Sequence, residues 1–189
     1  MQKFLSLQMK KLKDILKNFL KNKEIVDIFI IGSVLKEKFE PKDIDIIVLF
    51  RNKDYKMTGE LTYSIKKKAN IENLHIEPLI IDEMFQSKIF PSIIHEGFSI
   101  KSNKRISEII GYKACSLFTF SLEKLSSIEK VRFAQTLHGR KNDGLLQKEG
   151  GISVGRGAFM SPIEKEEFFK EALNKQKVKF NIKRVFVKY

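Results

Sequence analysis

The sequence predicts an α/β chain of the α+β kind: a mixed sheet flanked by helices over residues 1–112, then a small, basic, glycine-rich α+β domain over residues 113–189. Three observations lead there. Two runs, residues 25–31 and 44–50, are apolar without alternation, as suits strands covered on both faces. Segments of helical spacing stand around them: over residues 4–20, Leu5, Met9, Leu12, Leu16 and Phe19 line one face, with lysines on the other. Beyond residue 113 the order becomes strand, helix, glycine-rich stretch, helix, strand.

The first helix is expected to pack on the sheet that follows rather than lie on a membrane surface. A short helix over residues 34–39 should stop before Pro41. Residues 51–58 read as a polar loop and 59–69 as a helix ending in three lysines. Residues 74–81 form the third expected strand, with Pro78 marking it as an edge or irregular strand. Asp82 is the expected N-cap of a helix that Pro91 breaks or kinks. A fourth strand near residues 98–101 and a helix over 106–110, closed by Gly111, complete the first domain.

The chemistry lies between the first two strands. Asp43 and Asp45 are two residues apart at a strand start, so both project from one face. Two carboxylates so placed repel unless a cation lies between them, and an all-oxygen pair suits Mg²⁺ or Mn²⁺ held together with substrate phosphates. Gly32-Ser33 ends the first strand, where a glycine lets the backbone approach a phosphate and a hydroxyl can bind it. Two solvated acids after a turn would satisfy the Asp-x-Asp pattern alone.

Taken together, apolar strand, Gly32-Ser33, nine residues, Asp43-x-Asp45 and apolar strand resemble the nucleotidyltransferase superfamily related to DNA polymerase β, and its minimal members most closely. Those members often carry an arginine after Gly-Ser and a serine before the first Asp; here the positions are Val34 and Lys42. The resemblance implies a polymerase-β-like fold and transfer of NMP from an NTP to an RNA or protein acceptor with release of pyrophosphate. It also implies that Asp43, Asp45 and a third carboxylate on a neighbouring strand are the catalytic metal ligands, with Gly32 and Ser33 binding the nucleotide. Glu77 is the acid inside the third strand and takes the third place by position; otherwise it is an exposed acid on an edge strand. His75 shares its face and could touch substrate, though a lone strand histidine is commonly structural. Minimal members often act as antitoxins that modify a protein partner, so a catalytically silent, partner-binding or nucleic-acid-binding module is the alternative.

The net charge of +13 favours a polyanionic partner, although a lysine-rich composition explains it equally well. One cysteine, Cys115, precludes an internal disulfide and suits a reducing, cytoplasmic setting. No apolar run approaches the roughly 20 residues of a membrane span. In the second half, residues 117–122 read as a strand. Ser126 and Glu129 form a capping box for a helix closed by Gly139. Six of the ten glycines, between Gly139 and Gly157, suggest a hairpin or loop around Arg156. Ser161 to Glu164 reads as a second capping box with Pro162 at N1, and residues 178–188 as a final basic strand.

Overall fold

The strand pair β1 (Ile25–Ile31) and β2 (Ile44–Phe50) is the centre of the first half. The computed structural model describes residues 2–32, 35, 43–140 and 143–188, with side chains from residue 8 onward. Ser33, Val34, Pro41, Lys42 and the helix expected over residues 34–39 fall outside the described residues, apart from Leu35. The chain divides into two compact units, Met1–Ile110 and Gly111–Tyr189.

In the first unit the described strands form a five-stranded mixed sheet in the order β3-β2-β1-β4-β5, where β3 is Leu74–Ile80, β4 Phe98–Ser99 and β5 Lys104–Arg105. β1 and β2 are antiparallel, with Ile28 opposite Val48 and Ile31 opposite Asp45. β3 runs parallel to β2, with His75 beside Asp45 and Glu77 beside Ile47. The absence of alternation in β1 and β2 now has its cause. Ile28, Ile30, Ile46, Val48 and Phe50 pack on α1 (Gln2–Phe19) and α2 (Tyr55–Ala69), which contribute Leu12, Leu16, Ile65 and Ala69. Phe29, Ile31, Ile47 and Leu49 face the other way, onto Leu79 and onto Ile93 of α3 (Phe90–Glu96). No helix among the described residues is long and apolar enough to cross a membrane.

Several boundaries differ from expectation. α2 begins at Tyr55, not residue 59, because the Asp54 carboxylate accepts the Met57 N–H at 3.0 Å and caps the helix. Asp82 caps nothing. It lies within a 3₁₀ turn, Ile81–Gln86, that ends well before Pro91. Pro91 instead stands in the first turn of α3, where its missing N–H costs no helical hydrogen bond. The expected fourth strand shortens to β4 and returns through β5 into α4 (Ile106–Ile109).

Asp27 is an acid inside the apolar β1, and only the tertiary structure explains it. Its carboxylate accepts the Ser99 hydroxyl at 2.6 Å and the Lys101 N–H at 3.2 Å, tying the β4 turn to β1. Asp27→Ala leaves the fully buried Ser99 hydroxyl without this acceptor. It should lower unfolding free energy by about 1–3 kcal/mol, read as a lower urea midpoint. An unchanged midpoint would mean that Ser99 re-pairs without cost.

The described strands of the second unit form an antiparallel four-stranded sheet, β7-β8-β6-β9. These are β6 (Tyr112–Ser121), β7 (Ile152–Gly155), β8 (Ala158–Pro162) and β9 (Lys179–Lys188). Helices α5 (Ser127–His138), α6 (Leu145–Lys148) and α7 (Glu166–Lys175) help bury a core built on Phe118, Phe133, Leu146, Phe159 and Phe169. The Ser126–Glu129 capping box is formed, and Gly139 closes α5 at φ 75°. The glycine-rich stretch resolves into α6 and the β7–β8 hairpin. Ser161 does not cap a helix: it pairs with Ser116 in the β6–β8 ladder, and the strand continues through Pro162. Ladder pairing outweighs the local cap, even though the buried Ser161 hydroxyl has no hydrogen-bond partner among the described residues, so a 3₁₀ turn intervenes and α7 starts at Glu166. The Glu166 carboxylate is itself buried, accepting from Ser116 and pairing with Lys170 at 3.0 Å.

Candidate active site

The site is built where β1 ends and β2 begins. Because Ile31 stands opposite Asp45, the next residue, Gly32, meets the Asp45 side chain. A Cβ placed on Gly32 would lie 3.0 Å from Asp45 Oδ2, and the glycine holds φ +83°, a left-handed backbone that side chains disfavour. Both facts require glycine here. Gly32→Ala should cost about 1–2 kcal/mol in backbone strain alone and push the Asp45 carboxylate aside. The expected readout is a lower Tm together with a larger fractional loss of any metal-dependent activity. An alanine variant with full activity would show that the close approach has no functional role.

Asp43 directly precedes β2 and is exposed, whereas Asp45 is half-buried within the strand. His75 Nε2 lies 3.8 Å from Asp43 Oδ1 and His75 is paired in register with Asp45. Glu77 is exposed, one side-chain step further along β3 and on the Asp45 face. Ser33 is outside the described residues. Thus register brings His75 to the aspartate pair and sets Glu77 diagonally beyond it. Among the described residues no group of three His, Cys, Asp or Glu side chains is gathered closely enough to hold a metal ion.

The donor set nonetheless fits a hard divalent cation. Asp43, Asp45 and Glu77 are oxygen donors on one face, and among the described residues no lysine or arginine forms an ion pair with any of them. In a chain of net charge +13, three carboxylates that no lysine or arginine pairs among the described residues are conspicuous. Carboxylates near one another favour a bound cation as the source of neutralisation.

Arg105 is a contributor that sequence reading missed. Its guanidinium donates to the Leu35 carbonyl at 3.3 Å and the Glu96 carbonyl at 3.4 Å, bracing the chain just after Gly32. Both partners are backbone oxygens, one of them 70 residues away, so no local pattern announces the role. Nearby, the Lys13 ammonium sits 3.9 Å from the Phe98 ring centroid. Burial, followed by the charges of Lys17 and Arg105, lowers its pKa.

Residues 10–105 match the family profile Polymerase beta, Nucleotidyltransferase, and the chain belongs to that family. Two solved structures are similar at low identity. One is a protein from Sulfolobus solfataricus designated a nucleotidyltransferase, 18% identical, with a TM-score of 0.34, covering 49% of this chain and 80% of the other. The second comes from the complex of tri-AMPylated Shewanella oneidensis HEPN toxin with MNT antitoxin, 16% identical, with a TM-score of 0.33, covering 51% and 71%. No curated protein sequence matches significantly.

Proposed function

We propose that this nucleotidyltransferase-family protein transfers a nucleoside monophosphate from an NTP to a hydroxyl of an RNA or protein acceptor, releasing pyrophosphate. The observation that carries the proposal is the set Asp43, Asp45 and Glu77 on one face, with no lysine or arginine paired to them among the described residues and with Gly32 against Asp45. These acids would hold Mg²⁺ or Mn²⁺, which supplies charge neutralisation for the triphosphate and polarises the α-phosphoryl group. Gly32 leaves room for phosphate oxygens beside its backbone, and the Ser33 hydroxyl binds them. Glu77, exposed on β3, takes the acceptor's hydroxyl proton. The acceptor oxygen then bonds to the α-phosphorus, the bond to the β-phosphate oxygen breaks, and pyrophosphate leaves with the electron pair. His75 orients Asp43 through their close approach.

The diagonal offset of Glu77, with no tight three-ligand cluster among the described residues, favours a second reading: a module of this fold that binds a partner without chemistry. Incubation with each α-labelled NTP, divalent metal, total RNA and total cell protein separates the two. Metal-dependent label on either acceptor supports transfer. Label on neither, together with no metal- and NTP-dependent rise in Tm, supports the binding module.

A further inference from the structure

We propose that the second unit binds single-stranded nucleic acid in a basic groove centred on Lys177, independently of any chemistry in the first unit. Residues 111–189 hold 16 Lys and Arg against eight Asp and Glu, and the tertiary structure segregates them. Acids and bases neutralise one another in the pairs Glu149–Lys165, Glu166–Lys170 and Glu167–Lys170, and Arg184 lies 3.6 Å from Glu166. By contrast, Lys124, Arg132, Lys175, Lys177 and Lys179 form no ion pair among the described residues.

These five cations line two adjoining clefts. One, of about 390 Å³, has Lys124, Lys177 and Lys179 at its rim and the half-buried Phe120 and Phe180 in its wall, each with its ring also packed on core phenylalanines. The other, also about 390 Å³, lies between α5 and the end of α7 and adds Arg132 and Lys175. Leu125 and Lys177 border both, so the two are continuous. Two acids border the groove, Glu123 on the first cleft and Glu129 on the second. Glu129 accepts from the Ser126 N–H and hydroxyl at 2.8 and 2.7 Å, and these bonds, with the charges of Lys177 and Arg132, lower its pKa. Five cations thus stand against two carboxylates.

A second, independent observation singles out Lys177. α7 ends in a Schellman motif: the Val178 N–H donates to the Leu173 carbonyl and the Lys177 N–H to the Asn174 carbonyl. Val178 and Leu173 are both buried in the same core cluster, completing the motif. This places Lys177 at φ 56°, in left-handed backbone, at the position where glycine is favoured. A long cationic side chain stands where the backbone prefers none, at the junction of both clefts.

The chemistry of the groove selects its occupant. Aromatic walls among cations suit bases or sugars joined by phosphates, the combination that holds single strands, whereas an acidic peptide offers nothing for the rings. Thr119, Ser121, Asn181 and Gln176 add hydroxyls and amides able to bond phosphate or sugar oxygens. A duplex fits less well: on α5 the exposed Lys130 and Arg132 are interspersed with the exposed Ile128 and Val131, which break up a continuous basic recognition surface.

The test is fluorescence anisotropy of a labelled oligouridylate, a labelled RNA duplex and a labelled oligoglutamate, titrated with the full chain over a salt series. The oligouridylate should bind tightest. Lys124→Gln/Lys177→Gln/Lys179→Gln should weaken it about tenfold or more and reduce the salt slope by about 0.7 for each phosphate that is no longer neutralised. Lys177→Gly should also weaken binding while its Tm stays level or rises, which separates the missing charge from a failure to fold. A Lys56→Gln/Lys67→Gln control on α2, and the Asp43→Asn/Asp45→Asn protein, should bind as the parent does. Loss of binding in the aspartate variant would assign the RNA to the first unit and overturn the proposal. So would an unchanged salt slope in the triple lysine variant, unchanged affinity in Lys177→Gly, or equal affinity for oligoglutamate or duplex.

Discussion

Asp43→Asn/Asp45→Asn should reduce metal-dependent nucleotidyl transfer by about 10³-fold or more, because it removes the charge that positions the cation while keeping side-chain shape. The fold should survive. Asp43 is exposed, Asp45 is half-buried, and neither pairs with a lysine or arginine among the described residues. Removing one or both of two neighbouring like charges should leave the metal-free Tm unchanged or slightly higher. The parent's Tm should rise when NTP and Mg²⁺ are added together, and the double variant's should not. Full transfer by a folded double variant would move the chemistry elsewhere in the chain. Glu77→Gln, run in parallel, asks whether the diagonal carboxylate on β3 takes part: a comparable loss assigns it to the site, and parental activity returns it to the status of an exposed edge-strand acid.

The second unit should be most sensitive at Phe159. Its ring stacks on Phe118 at 4.8 Å with an interplanar angle of 8°, and packs on Phe169 at 5.0 Å. All three side chains are fully buried. Phe159→Ala removes a ring from the middle of this cluster, with an expected cost of about 3–5 kcal/mol. A unit of 79 residues has little reserve: below roughly 80 residues one core rarely supplies more than about 3–5 kcal/mol. Amide exchange should therefore lose its protection across β6, β8 and β9 and retain it in β1 and β2. Protection persisting in β6 would show that the remaining phenylalanines close the cavity.

What was legible in the sequence was whatever local pattern decides. β1 and β2 were bounded by their largely apolar runs, each broken by one aspartate, because burial on both faces leaves little room for polar alternation. The Ser126–Glu129 box and Gly139 marked both ends of α5, since a cap uses residues within one turn. Spacing put Gly32 at the end of β1 and the two aspartates at the start of β2, where they lie, and the Pro78 edge signal agrees with β3 at the margin of the described sheet. Where long-range partners compete with local ones, the sequence misled or was silent. Ser161 had the cap signature but a partner strand claimed it. Asp27 looked like an intrusion into an apolar strand until Ser99, 72 residues on, supplied its reason.

The tertiary structure alone decided the rest, because register is a property of two segments and not of either. The parallel pairing of β2 with β3 set His75 beside Asp45 and Glu77 a step beyond. The guanidinium of Arg105 reached the Leu35 carbonyl only once β5 had folded back. Charge segregation in the second unit is likewise invisible in composition, since folding chose which lysines met acids and which were left lining a groove. By itself the sequence determined β1, β2, the two ends of α5 and the place of the aspartate pair; folding determined which side chains meet.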